Sequence, residues 1–310
     1  MADLFDIDDL WPFGYDRVLE LATSTTVGEV LKGQGVALLF EKPSARTRNS
    51  TEMAVVSLGG HPVYIQGTEV GLDVRESAED VARTLGCYHR ILCARVFDHD
   101  VLPRMAVALE GSNFDVPVIN LLSDQAHPCQ AIADVLTLRD TLGPLHGEVL
   151  AYIGDSNNMC RSLVKAALME GMDVRVASPE AYSFSAEEVA RLEAFSARVG
   201  RGGILRATHD PIEAAGGADA LYTDVWTSMG QEDERAARLE AFRGFTVDDA
   251  LLDVAEPDAA VLHCLPAHRG EEISADVFEG MHSVVWKQAA HRQTAMHGIL
   301  AWAIEEQEAP

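Results

Sequence analysis

Lysine is almost missing from this chain of 310 residues: Lys32, Lys42, Lys165 and Lys287 are the full set. Lys and Arg together number 24 against 49 Asp and Glu, a formal charge of −25. A surface so negative repels a polyanion, which argues against nucleic acid as a partner. Long apolar runs are lacking too: none reaches about 18 residues, so no membrane-spanning helix is expected. The stretch "MADLFDIDDL" is acidic where a signal peptide would be basic, and the expectation is a soluble protein of the cytoplasm. Cysteine is scarce and odd in number: Cys87, Cys93, Cys129, Cys160 and Cys264 show no C-x-x-C spacing. That argues against a disulfide framework or a Cys-rich zinc site, and most of the five read as small buried hydrophobes. There is no internal repeat and no low-complexity segment. The G-x-G-x-x-G loop of dinucleotide-binding folds is also absent, "GDSNNM" standing where it would sit.

Acid is plentiful, and it forms no tail. It recurs in "DIDD", "ESAED", "SAEEVARLE", "GQEDER" and "IEEQE", so it belongs to the whole surface. Such self-repulsion destabilises a compact chain in dilute buffer, and concentrated salt screens it. A salt-adapted protein of the halophile type is the expectation.

The hydrophobic fraction of 47% is ample for a core, and the length suits two domains. Strand and helix signals alternate. "VALLF" (36–40) reads as a buried strand, after which Ser44 caps a helix through "TRNSTEMAVVSLGG" that ends at Gly59 and Gly60. "ESAEDVARTLGCYH" reads as a helix, "RILCARVF" and "VPVINLL" as strands, and "CQAIADVLTLRDTLG" as a further helix. "LGPLHGEV", with Gly143, Pro144 and Gly147, is the best boundary. Beyond it come strand "EVLAYIGD", helix "NNMCRSLVKAALMEG", strand "DVRVASP", helix "SAEEVARLEAFSARVG", strands "ADALYTDV" and "AAVLHCL", and a final helix "QAAHRQTAMHGILAWAIEE". The expected fold is α/β in two domains, each an open parallel sheet flanked by helices. Their limits are 1–143 and 144–287, with 288–310 a C-terminal helix packing back on the first. Such folds carry the active site at the strand C-termini and in the cleft between domains.

Polar residues gather at those strand ends. "KPSARTRNS" puts Ser44, Arg46, Thr47 and Arg48 at a helix start, where unpaired N–H groups and the helix dipole favour an anion. Two arginines add bidentate donors suited to phosphate, although a solvated, capped helix start explains the same residues. Arg95 closes the strand "RILCARV" and reads equally as a surface charge. "SDQAHPCQ" places His127 and Gln130 after "VINLL", with Pro128 suited to the first helical turn. "HCLPAHRGEE" combines His263, Cys264, His268 and two glutamates, which raises a metal site, but the spacings fit neither H-E-x-x-H nor a Cys/His finger.

Taken in order, "FEKPSARTR", "HPCQAIADVLTL", "DVWTSMG" and "HCLPAHRGEE" span almost the whole chain and resemble the aspartate/ornithine carbamoyltransferase family. "SMG" and "HCLP" resemble its ornithine branch. The resemblance implies transfer of a carbamoyl group from carbamoyl phosphate to the δ-amine of L-ornithine, giving L-citrulline and phosphate, with no metal or organic cofactor. It implies that Ser44, Ala45 (through its N–H), Arg46 and Thr47 hold the phosphate together with Arg292. Arg95, His127 and Thr47 would polarise the carbamoyl oxygen, while Gln130 and the Leu265 carbonyl take the carbamoyl NH₂. Asn158, Asp224, Ser228 and Met229 would hold ornithine, with Asp224 and Cys264 orienting and deprotonating its amine. His263 reads as structural, Arg48 as an ion-pair partner, and His268 with Arg269 as shaping the loop. Relatives imply a homotrimer or an assembly of trimers.

Three stretches depart from the family pattern. Ala45 replaces Thr, "QAAHR" replaces "QAENR", and Gly71 stands where relatives carry a Gln or His that reaches a neighbouring subunit. Rival readings are a carbamoyltransferase for aspartate, putrescine or an acylated ornithine, an inactive ligand-binding relative, and a nicotinamide-dependent oxidoreductase. The same residues serve arginine synthesis and the catabolic recovery of carbamoyl phosphate.

The charge pattern makes one direct prediction. The melting temperature rises between about 0.1 M and about 2 M KCl as repulsion is screened. A temperature that stays level or falls over that range rules out salt adaptation.

Overall fold

The computed structural model describes residues 2–110, 115–227 and 232–308. Its backbone divides into two compact units, Met1–Ala133 with Ala290–Pro310, and Asp134–Ala289. Both are α/β, each with its own parallel sheet. Among the described residues no helix is long and apolar enough to cross a membrane.

The first unit carries β1 (Gly35–Phe40), β2 (His61–Gln66), β3 (Ile91–Arg95) and β4 (Val118–Leu122), ordered β2-β1-β3-β4. β1 and β3 are buried almost throughout, as strands covered by helices on both faces must be. Helices α1 (Gly14–Thr23), α2 (Ala45–Ser57), α3 (Ala78–Gly86) and α4 (Val101–Leu109) accompany this sheet. Leu39 and Leu92 from the strands, Val81 from α3 and Leu102 and Met105 from α4 share one apolar core. The outer side of β4 is covered by the chain near Leu4, which exchanges backbone hydrogen bonds with Val118 and Asn120 at 3.0 and 2.8 Å.

The second unit carries β5 (Val149–Ile153), β6 (Asp173–Ala177), β7 (Leu205–Thr208), β8 (Ala220–Thr223) and β9 (Ala260–His263), ordered β7-β6-β5-β8-β9. Helix α5 (Pro128–Leu142) leads into it, and α6 (Asn158–Glu170) and α7 (Ala186–Val199) follow β5 and β6. Trp226, Phe242, Phe245 and Phe278 pack with Ile153 and Val261 in its core.

Each sheet reverses its strand order beside its first strand, between β1 and β3 and between β5 and β8. The C-terminal ends at such a reversal are splayed apart by the loops leaving in opposite directions, which opens room for a ligand. Register then sets what lies there. Phe40 pairs with Arg95 across β1 and β3, so Arg95 stands beside the turn that leads to α2. Thr223 pairs with His263 across β8 and β9, so the next residues, Asp224 and Cys264, emerge side by side.

The last helix, α8 (Val285–Glu308), meets α1 at Gly298. A Cβ at Gly298 would lie 2.4 Å from the Val18 carbonyl oxygen and 2.7 Å from the Ala22 Cβ. The approach is therefore possible only without a side chain. An ion pair of Arg17 with Glu305 at 2.7 Å flanks it. Gly298→Ala is expected to lower stability by about 1–3 kcal/mol through overpacking, despite alanine's better helix propensity. Urea unfolding of the two chains measures this, and an equal or higher midpoint would show that α1 gives way freely.

Candidate functional site

Two groups of polar side chains stand at the strand ends, one in each unit. The first is built around Thr47. Ser44 caps α2, its Oγ accepting the Thr47 N–H at 3.3 Å, which leaves the N–H groups of Ala45 and Arg46 in the first turn with no acceptor earlier in the helix. Arg95 and Arg292 both donate to the Thr47 hydroxyl, at 3.3 and 3.2 Å. Arg292 also donates to His127 Nε2 at 3.2 Å and to Gln130 Oε1. Thr47, Arg95, His127, Gln130 and Arg292 are between 2% and 7% exposed, whereas Ala45 and Arg46 are open to solvent.

Like charges crowd this group. Burial pushes the Arg95 guanidinium down to about 10, and Arg292 and Arg46 push in the same direction. Burial, and then Arg292, Arg95 and Arg46, hold His127 well below the usual imidazole range. The ring is therefore neutral. With Nε2 accepting from Arg292, its proton sits on Nδ1, an assignment that follows from the hydrogen bonds. Such a cluster is costly as it stands, and an anion among the cations removes the cost.

The second group follows β5, β8 and β9. Cys264 donates its S–H to Asp224 at 2.9 Å, and Asn157 Nδ2 reaches the other Asp224 oxygen at 3.4 Å. Burial pushes the Cys264 thiol well up, aided by the Asp224 charge, so the sulfur keeps its proton. Asn158 opens α6, capped by Asn157. Leu265 has φ +63, a left-handed conformation that costs a branched residue about 1–2 kcal/mol and clusters at functional sites. Its N–H is secured on His263 Nδ1 at 2.9 Å, and His263 Nε2 meets the buried Glu272 at 3.1 Å. His263 and Glu272 thus brace this loop. Asp224, His263 and Cys264 lie close enough to share an ion, as do His268, Glu271 and Glu272. In the first set Cys264 is hydrogen-bonded to Asp224, and in the second Glu271 meets Arg235 while Glu272 Oε1 meets His263.

The residues named from the motifs fall into these groups, except Ser228 and Met229, which lie outside the described residues. Arg48 turns elsewhere, pairing with Glu52 at 2.8 Å and lying 3.9 Å from the centre of the Tyr64 ring. Gly71 has φ +66, and a Cβ there would meet the Arg75 Cβ at 2.9 Å, so the backbone itself demands glycine. The motifs do not reveal Arg238. Buried, it donates to Asp155 at 2.7 Å and to the Trp226 carbonyl at 3.0 Å, tying the turn before Asn158 to the segment after Asp224. A charged residue in an amphipathic helix carries no sequence signal of that task.

Family models match almost the whole chain. The carbamoyl-P binding domain of aspartate/ornithine carbamoyltransferase matches residues 3–140, and its Asp/Orn binding domain matches residues 146–303. The chain is 47% identical over 305 residues to an ornithine carbamoyltransferase of Acidothermus cellulolyticus, covering 96% of this chain and 95% of that one. It is 45% identical over 302 residues to one of Thermus thermophilus, with the same coverage. The solved structure of ornithine carbamoyltransferase from Pyrococcus furiosus superposes with a TM-score of 0.90 at 40% identity, covering 96% of each chain. The chain belongs to the aspartate/ornithine carbamoyltransferase family.

Proposed function

We propose that the chain is an ornithine carbamoyltransferase, joining carbamoyl phosphate and L-ornithine to give L-citrulline and phosphate. The observation that carries this is the buried cation cluster around Thr47, where Arg95 is pushed down to about 10 by burial and by its fellow arginines. A phosphate supplies the charge that cluster wants. Ser44, the Ala45 N–H, Arg46, Thr47 and Arg292 hold it. Arg95, Thr47 and the Nδ1–H of neutral His127 face the carbamoyl oxygen, which turns negative as the tetrahedral centre forms. Gln130 and the Leu265 carbonyl receive the carbamoyl NH₂.

Ornithine's amino-acid end falls to Asn158, Ser228 and Met229, and its δ-amine to Asp224 and Cys264. An alkyl ammonium has a pKa near 10.4, so about one molecule in 10³ is neutral at pH 7. Asp224 accepts from the nitrogen, while the protonated Cys264 fixes the Asp224 carboxylate rather than serving as a base. The amine lone pair forms the new C–N bond and the C–O bond to phosphate breaks. The departing phosphate takes the proton released by nitrogen. The same reading makes the protein a homotrimer or an assembly of trimers in the cytoplasm, where the free state of all five thiols fits a reducing compartment.

Three measurements test this. Offered ornithine, acetylornithine, putrescine and aspartate side by side, the enzyme carbamoylates ornithine fastest, and a faster rate on any other amine overturns the assignment. Arg46→Ala is expected to lower kcat/KM roughly ten- to a hundredfold, the loss of one charge-assisted contact to phosphate. A change below about threefold places the phosphate elsewhere. For pH, kcat/KM for ornithine rises steadily above neutrality as its ammonium deprotonates. His127, already neutral, adds no break near the ordinary histidine value of about 6.5; such a break, abolished in His127→Gln, would contradict the neutral state of the ring.

A further inference from the structure

The motif "HPCQAIADVLTL" contains a carboxylate with no part in the reaction as written. Asp134, on α5, is fully buried. Its Oδ2 accepts the Tyr222 hydroxyl proton at 3.1 Å, and its Oδ1 accepts from Gln288 Nε2 at 2.7 Å. Gln288 Nε2 also reaches the Tyr222 oxygen at 3.2 Å, and Gln288 Oε1 accepts the His263 N–H at 2.9 Å. Tyr222 belongs to β8, two residues before Asp224, and His263 ends β9, one residue before Cys264. One carboxylate therefore ties together the two strand ends that present the thiol and its acceptor.

The sense of these hydrogen bonds is forced. The His263 backbone N–H can only donate, so the Gln288 amide must turn its oxygen to that N–H and its NH₂ to Asp134. The Tyr222 proton must likewise point at Asp134, which leaves the phenol oxygen unable to donate toward the neighbouring Cys264. Receiving no proton from Tyr222, the thiol acts as the donor, and it donates to Asp224 at 2.9 Å. We propose that Asp134 is a positioning residue of the amine site: it locks the ends of β8 and β9 and sets the direction in which Cys264 donates to Asp224. This rests on the proposed ornithine chemistry for its effect on catalysis, but not for its effect on the thiol. The titratable groups facing Cys264 are Asp224, Asp134 and Tyr222, with Tyr152 stacked behind Tyr222 at 5.8 Å. The two carboxylates push the thiol up beyond what burial does.

Asp134→Asn keeps the shape and removes the fixed sense. In this variant the ornithine KM is expected to rise about tenfold while the carbamoyl phosphate KM stays within about twofold. In a Cys87→Ser background, which removes the exposed thiol, the pH at which iodoacetamide labels Cys264 moves down, read as the mass of the Cys264 peptide. Tyr222→Phe retains the ring and deletes one donor to Asp134, and it raises the ornithine KM in the same selective way. It decides the matter if Asp134→Asn does not fold. A folded Asp134→Asn enzyme with an unmoved labelling profile overturns the proposal, as does a rise of both KM values together or an unchanged ornithine KM in Tyr222→Phe. The labelling needs no substrate. A parent enzyme inactive on ornithine would therefore count against the proposed function, while the labelling shift still decides the role of Asp134.

Discussion

Two buried arginines donating to one threonine hydroxyl set the terms for the first unit. Bringing Arg95 and Arg292 out of water and beside each other is unfavourable. The fold sustains it by fixing each partner from a different direction. β3 carries Arg95 to the strand end by its register with β1, the Ser44 cap starts α2 so that Thr47 faces inward, and α8 delivers Arg292. Gly298 permits the close seat of α8 on α1 that accompanies this placement. Keeping the cations together costs stability locally, and under the proposed function a bound phosphate offsets that cost.

The second unit works by direction of hydrogen bonding rather than by net charge. Cys264 is a donor because burial and the nearby carboxylates keep its proton in place, and Asp224 is an acceptor because it receives that proton. Leu265 is held in a left-handed conformation by the His263–Glu272 pair, which aims its carbonyl without help from a glycine. A cationic group in one unit and an acceptor group in the other suit the two ends of the chemistry, a leaving phosphate and an attacking amine.

Much of this was legible in the sequence, and the exceptions share a physical cause. β1, β3, β4, β5 and β8 announce themselves as short apolar runs because they are buried on both faces. β2 and β7 do not, because each is an edge strand exposed along much of its length. β2 carries Pro62 and is half-exposed along its length, and β7 has Arg206 open to solvent. The boundary expected at Gly143–Pro144 lies just after α5, whereas the compact units divide inside α5 and α8. Residues at strand ends were readable as a site because each follows a buried run. Asp134, Tyr222, Gln288 and Arg238 were not, because they are interior positions of helices or strands whose importance lies in what faces them. Gly71 is a different case: its sequence position pointed to a missing side chain, whereas its backbone requires none.

The central claim is that the cluster around Thr47 is a phosphate site, and ligand-linked stability measures it most directly. A ligand that binds only the folded chain raises its melting temperature, and the rise keeps growing with the logarithm of ligand concentration above Kd. At fixed high KCl, millimolar inorganic phosphate is expected to raise the melting temperature of the native protein and to raise that of Arg46→Ala much less. An equal rise in both proteins, or none in either, would contradict the account.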